Sequence, residues 1–167
     1  MRRVVLAGWG FFGPFHADAW QRLAPAWGLA GLADPDPAAR ARFRAAYPGV
    51  PTAEDAADLL EAVRPDVVDV VTRPAQHGPV ARAAVARGVA VIVQKPLAPT
   101  WGECVDLVRA AEAAGVRLLV HDNWRFQPWW TTVAAALVAG AVGRPYYAHF
   151  RVRPGDGRGA APYPAQP

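Results

Sequence analysis

Val4-Val5-Leu6-Ala7-Gly8-Trp9-Gly10-Phe11-Phe12-Gly13 is the stretch on which the fold turns. Its first four residues form a continuous apolar run, the pattern of a parallel strand buried on both faces. The glycines at 8, 10 and 13 then break the strand in a tight turn. A helix is expected from about Phe12 to Leu23, because Pro14 is tolerated only within a first helical turn. Strand, glycine turn and helix in immediate succession open a parallel α/β unit.

The same rhythm continues down the chain. Leu29 to Ala33 reads as a second buried strand, and Pro37 to Ala46 as a helix stopped by Pro48-Gly49. Thr52-Ala53-Glu54-Asp55 resembles a capping box with Asp in place of the usual Glu or Gln, opening a helix to Val63. Val67 to Val71 is a strand, Gly78 to Ala86 a helix capped by Gly88, and Val89 to Val93 a strand. Thr100 to Ala114 is a helix ending at Gly115, and Leu118 to Val120 a last strand. Alternation with short connections predicts an α/β fold, a doubly wound parallel sheet with helices on both faces. The expected first domain covers 1–125. Beyond it, Trp129 to Ala139 is helix-like, and Tyr146 to Arg153 alternates as the first strand of an antiparallel sheet would. Residues 126–167 are therefore expected to be a linker helix and the truncated start of a second, α+β domain, with a loop-like tail from about Arg153.

The spacing Gly8-x-Gly10-x-x-Gly13 is that of a dinucleotide-binding turn. Gly8 permits the turn, Gly10 lets the backbone approach a pyrophosphate, and Gly13 lets helix and strand pack closely. The same spacing could be only a glycine-rich turn, but its place between strand and helix favours phosphate binding at the helix N-terminus. Asp34 lies 21 residues beyond Gly13, where an acidic residue accepts hydrogen bonds from the adenosine ribose. A carboxylate there repels a 2′-phosphate, so NAD is expected over NADP. Asp34 could also simply open the Asp-Pro-Asp-Pro turn.

Lys95 is the only lysine in the chain and directly follows a buried strand, at the sheet edge where ligands bind in such folds. A compact ammonium suits donation to a substrate oxygen. Pro96 fixes the backbone beside it. Asn123, the only asparagine, and Arg125 follow the last strand and reach the same edge, as do Thr72 and His77. His16 in the first helix reads as packed.

Composition narrows the alternatives. The chain has a net charge of +4, but its arginines are scattered along helices rather than gathered in a stripe, which argues against nucleic acid. It has no serine, which excludes a serine nucleophile. Cys104 stands alone, so neither an intrachain disulfide nor a multi-cysteine zinc site can form, and the four histidines lack metal-ligand spacing. No apolar run is long enough to span a membrane. Arg2-Arg3 before an apolar run imitates a signal peptide, yet Pro14 and the spaced glycines interrupt it, and a cytoplasmic location is expected.

Taken together, Gly8 to Gly13 with His16, Ala33-Asp34-Pro35-Asp36, Thr72 to His77, Gln94-Lys95-Pro96-Leu97 and Asn123-Trp124-Arg125-Phe126 resemble the glucose–fructose oxidoreductase, inositol dehydrogenase and rhizopine catabolism family, Gfo/Idh/MocA. The resemblance covers nearly the whole chain. It implies an N-terminal Rossmann domain that binds NAD or NADP and a C-terminal open antiparallel sheet that carries the substrate. It implies that Gly8, Trp9, Gly10, Phe11, Phe12, Gly13, Asp34, Thr72, His77, Gln94, Lys95, Pro96, Asn123 and Arg125 lie around the cofactor, with Lys95 as the catalytic lysine of a Glu-Lys-Pro motif. Gln94 replaces the usual Glu, and Arg73 stands where proline is frequent. Family members are about twice as long, and many carry an Asp-x-x-x-His base in the second domain; no such motif follows here. The expectation is an NAD(P)-dependent dehydrogenase of a sugar or polyol, present as a truncated fragment. Its isolated helix and strand faces would favour association, and a homo-oligomer is possible for the complete protein. The alternative is a dinucleotide-binding module or partner subunit without catalysis.

Overall fold

The computed structural model describes residues 1–151. Six strands and five helices alternate through the first 121 residues. They are β1 (Arg2–Ala7), α1 (Gly13–Gln21), β2 (Trp27–Ala33), α2 (Pro37–Ala46), β3 (Thr52–Ala53), α3 (Ala56–Val63), β4 (Val67–Val70), α4 (Pro74–Val85), β5 (Ala90–Gln94), α5 (Trp101–Ala113) and β6 (Leu118–His121). All the strand pairings are parallel, in the order β3-β2-β1-β4-β5-β6. This is the doubly wound Rossmann order, with its reversal between β1 and β4.

Side-chain alternation along the strands builds two cores. Leu6 and Leu32 face one way, against Ala17 of α1 and Ala39 and Phe43 of α2. Val5, Ala7, Val68, Val70, Val91 and Val93 face the other, against α3, α4 and α5 through Leu59, Leu60, Ala81, Ala84 and Leu107. The near-continuous Val/Leu runs of the sequence follow from this, since both faces are covered. Each such buried side chain contributes about 1.5–3 kcal/mol.

Three local expectations are corrected. Thr52 does not cap a helix: Thr52 and Ala53 form β3, paired with Leu32 and Ala33 at the sheet edge. Asp55 is itself the cap of α3, and its Oδ1 accepts from the N–H groups of Ala57 and Asp58 at 2.6 and 3.1 Å. The helix expected from Gly78 starts at Pro74 instead. Proline needs no amide partner in a first turn, and Gly78-Pro79 is carried inside the helix by its buried face at His77, Ala81, Ala84 and Val85. Finally, Tyr146 to Arg151 form no strand: no ladder partner lies beside them among the described residues. Val152, Arg153 and the expected tail lie outside the described residues.

A second unit begins at Asn123, after a first that runs Met1–Asp122. It opens with a 3₁₀ turn (Asn123–Phe126) and α6 (Pro128–Val138). No residue of α6 is buried, and Trp129, Val133 and Leu137 are exposed. No described helix is long and apolar enough to cross a membrane.

The start of α5 carries the full capping box. Thr100 Oγ1 accepts from the Glu103 N–H at 3.3 Å, and Glu103 Oε2 accepts from the Thr100 N–H at 3.0 Å. Thr100→Ala should therefore cost about 1 kcal/mol, read as a lowered midpoint in thermal denaturation.

Candidate functional site

The C-terminal edge of the sheet carries the glycine turn after β1, Asp34 after β2, Thr72 after β4 and Lys95 after β5. β1 ends at Ala7 and turns through the glycines, whose three positions face different surroundings. Gly8 has φ +100°, and a Cβ there would lie 2.8 Å from the carbonyl carbon and oxygen of Val71. Only glycine fits. At Gly13 a Cβ would meet the Gly8 oxygen and the Trp9 ring at 3.0 Å, so helix and strand approach as closely as the motif requires. At Gly10 a Cβ would meet nothing within 4 Å. The protein itself has no need of glycine at that position. Open space, with the N–H groups of Gly10, Phe11 and Phe12 unpartnered among the described residues just before α1, is the shape of a cradle for an anionic group.

Trp9 contributes only backbone to this loop. Its ring is buried against Phe43 and Tyr47, edge-on at 4.9 and 5.9 Å between centroids. Its N–H donates to Asp34 Oδ2 at 2.7 Å, while Asp34 Oδ1 accepts from the Asp36 N–H at 2.8 Å. Asp34 is 9% exposed. The carboxylate thus fastens the glycine loop to the end of β2, and each oxygen keeps a further lone pair. Both readings of Asp34, turn residue and ligand acceptor, are compatible with this geometry. Arg40 of α2 clamps the same turn: its Nη1 donates to the carbonyls of Asp34 and Pro35 at 2.6 and 3.0 Å. Sequence reading passed over Arg40, since helical arginines six residues past a turn carry no motif.

Beside the turn lies a cavity of about 230 Å³, bounded by Ala7, Ala33, Pro35, Glu54, Thr72 and Gln76 among others. That is below the ~300–1,000 Å³ of pockets that enclose a whole drug-sized ligand, and it suits one flat ring. Glu54 carries no lining signal in sequence because Thr52 to Asp55 reads as a capping box, and no motif singles out Gln76.

Lys95 and Pro96 follow β5 directly and are exposed. His77 was expected on the cofactor side. It is 1% exposed, with Nδ1 2.7 Å from the Pro96 carbonyl oxygen and Nε2 3.0 Å from that of Thr72. Both carbonyls accept and a neutral ring has one N–H, so the imidazole donates to one of them; buried between the two loops, it reaches a ligand only through them.

Behind Lys95 sits a buried polar cluster. His16 is packed, as expected, but it is packed on charge: its Nδ1 lies 2.9 Å from Asp69 Oδ2, which also accepts from Trp20 Nε1 at 2.7 Å. Asp69 is 2% exposed. Sequence reading missed it, since one Asp within Val67-Val68-Asp69-Val70 reads as a strand residue. Gln94 bridges from this cluster to His121 and to the Lys95 backbone. Burial, and next the neighbouring His16, push the His121 imidazole below its ordinary value of 6.5. Among the described residues, no three His, Cys, Asp or Glu side chains are placed to hold a metal.

Asn123 and Arg125 belong to the second unit, exposed in its 3₁₀ turn, with the Arg125 guanidinium 5.3 Å from the Phe126 ring centre.

Residues 2–122 match a family described as an oxidoreductase family with an NAD-binding Rossmann fold. A D-apiose dehydrogenase of Paraburkholderia graminis is 38% identical over 152 residues, 89% of this chain and 40% of the relative. An inositol 2-dehydrogenase of Saccharopolyspora erythraea is 35% identical over 148 residues, 88% of this chain and 44% of the relative. Among solved structures, an oxidoreductase from Agrobacterium radiobacter, in complex with NAD+, L-tartaric acid and magnesium, superposes with a TM-score of 0.83 at 32% identity, covering 87% of this chain and 42% of that one. The chain thus spans less than half the length of the curated relatives it matches.

Proposed function

Since the chain belongs to the Gfo/Idh/MocA oxidoreductase family, we propose that it is the cofactor-binding part of a dehydrogenase that oxidises a CH–OH group of a sugar or polyol, with Lys95 at the reacting oxygen. The observation that carries this reading is the sharing of one sheet edge by an open glycine cradle at Gly10 and the lone lysine after β5. The relatives named for D-apiose and inositol support the substrate class. An NAD bound at that edge supplies the hydride acceptor.

The chain's own residues do the rest. The N–H groups before α1 receive the pyrophosphate. The spare lone pairs of Asp34 accept from ribose hydroxyls, and the cavity beside Thr72 takes the purine end. The Lys95 ammonium would donate to the substrate oxygen and stabilise the negative charge that builds there as a general base takes the hydroxyl proton. Gln94 and Pro96 hold that lysine in place.

The test is NADH formation by the natural full-length protein against a panel of sugars and polyols. Turnover with at least one of them is expected. Saturable NADH binding without turnover on any would leave only a binding module.

Asp34 also sets a cofactor preference. A 2′-phosphate would sit against its carboxylate, and like charges placed together cost several kcal/mol. NADH should bind at least about tenfold tighter than NADPH, a gap of about 1.4 kcal/mol, and Asp34→Ala should narrow that ratio. Competition titrations measure both. A preference for NADPH in the unaltered protein would refute the assignment.

A further inference from the structure

The turn that carries Lys95 is held from behind by a hydrogen-bond chain whose protons can be assigned in only one way. The Lys95 N–H can only donate, so Gln94 Oε1, 2.9 Å away, is its acceptor. That orientation aims the Gln94 amide nitrogen at His16 Nε2 and at His121 Nδ1, each at 3.3 Å. An amide nitrogen donates and never accepts, so both facing ring nitrogens must carry lone pairs. His16 then keeps its single proton on Nδ1, donated to Asp69 Oδ2. His121 keeps its own on Nε2. Both rings are then neutral, while Asp69 Oδ1, the other oxygen of the carboxylate that anchors His16, is buried without a partner among the described residues.

We propose that Gln94 is a positioning residue, fixing the backbone of Lys95 only while His16 and His121 are both neutral, so that a proton on either imidazole releases the lysine. If His16 gained a proton on Nε2, or His121 on Nδ1, an N–H would point at the Gln94 N–H₂. Flipping the amide would satisfy the ring but turn its nitrogen onto the Lys95 N–H. One of the two contacts must fail. The consequence for turnover rests on the dehydrogenase reading above; the hydrogen-bond chain itself does not.

A glutamate at position 94 would behave oppositely. A carboxylate only accepts, so it would hold Lys95 and both rings best when the rings carry protons on the facing nitrogens. Gln94 therefore builds a neutral site where a glutamate would build a charged one.

The charges around the rings act in both directions. Asp69 from β4 and Asp122 after β6 each favour a proton on His121. The rings, 4.7 Å apart, oppose each other's charge. Asp18, on the exposed side of α1, is paired with Arg22. For His121, burial prevails and lowers its titration. The folded protein thus binds fewer protons there than the unfolded chain. The linked stability is present above the ordinary value of 6.5 and is lost as pH falls below it.

The experiment is an NMR titration of the histidine rings and the Lys95 amide, in the natural full-length protein and in Gln94→Glu, Gln94→Leu and His121→Phe, with kcat and NADH affinity measured alongside. In the unaltered protein, the ring nitrogens should show neutral tautomers at pH 7, protonated on Nδ1 for His16 and on Nε2 for His121. The Lys95 amide shift should move with the first histidine titration. Gln94→Glu should raise a ring titration by about one pH unit or more and move the acid limb of the kcat profile with it. Gln94→Leu should lower kcat severalfold with NADH affinity unchanged, and should uncouple the Lys95 amide from the rings. His121→Phe, at a half-buried site, should leave only the His16 step in the amide shift. Ring titrations identical in the unaltered protein and Gln94→Glu would overturn the proposal, as would a Lys95 amide indifferent to pH. If the protein turns nothing over, the NMR arms still decide the network, and only the dehydrogenase reading fails.

Discussion

Replacing Lys95 with alanine in the full-length protein should lower kcat by about 10²–10³-fold, the range for removing one preorganised donor to a developing oxyanion. NADH affinity should stay within about twofold, because the phosphate cradle lies after β1, not β5. The side chain stands exposed on a turn whose backbone is held by Gln94 and His77, so truncation leaves the fold intact. Lys95→Arg should restore little, since a planar guanidinium does not occupy the place of a compact ammonium. Stopped-flow and steady-state kinetics on the three proteins separate turnover from binding. Full activity in Lys95→Ala would remove the lysine from the chemistry.

The second large effect separates two glycines two residues apart. Gly8→Ala should destabilise the domain by about 3 kcal/mol or more. A Cβ at φ +100° costs about 1–2 kcal/mol on its own, and here it also lands 2.8 Å from the backbone of Val71, which cannot yield without breaking β4 from β1. The melting midpoint should fall by about ten degrees. Gly10→Ala should leave the midpoint unchanged, since its Cβ enters open space. It should nonetheless weaken NADH binding at least about tenfold, because that space is where the pyrophosphate must approach the backbone. Thermal melts and binding titrations on both variants test the contrast. Equal stability losses would show that Gly10 serves the fold rather than a ligand.

Much of the fold is legible in the sequence. The run Val4 to Ala7, the three spaced glycines and the apolar strands at 29–33, 67–71 and 89–93 carry their own pattern, since a parallel sheet buried on both faces leaves no room for polar alternation. Lys95 stands out in the sequence as the only lysine, and the structure places it exposed directly after β5. Where the reading failed, tertiary contacts outweighed local signals. Thr52-Ala53 looks like a helix start until β2 supplies a strand to pair with. Gly78 looks like a helix start until the first turn from Pro74 and the buried face of α4 are counted. His77 looks like a ligand until Pro96 and Thr72 present their carbonyls to it. Asp69 could not be found at all, because its partners His16 and Trp20 come from a helix some fifty residues away. Hydrogen-bond partners brought together by the fold leave no periodicity in sequence.

The most direct test of the central claim is a calorimetric titration of NADH into the purified chain and into its Gly10→Ala variant. Saturable one-to-one binding that is lost or strongly weakened in the variant is the predicted result. Absence of saturable binding, or binding that Gly10→Ala leaves untouched, would contradict the placement of the cofactor on the glycine loop, and with it the role drawn for Lys95.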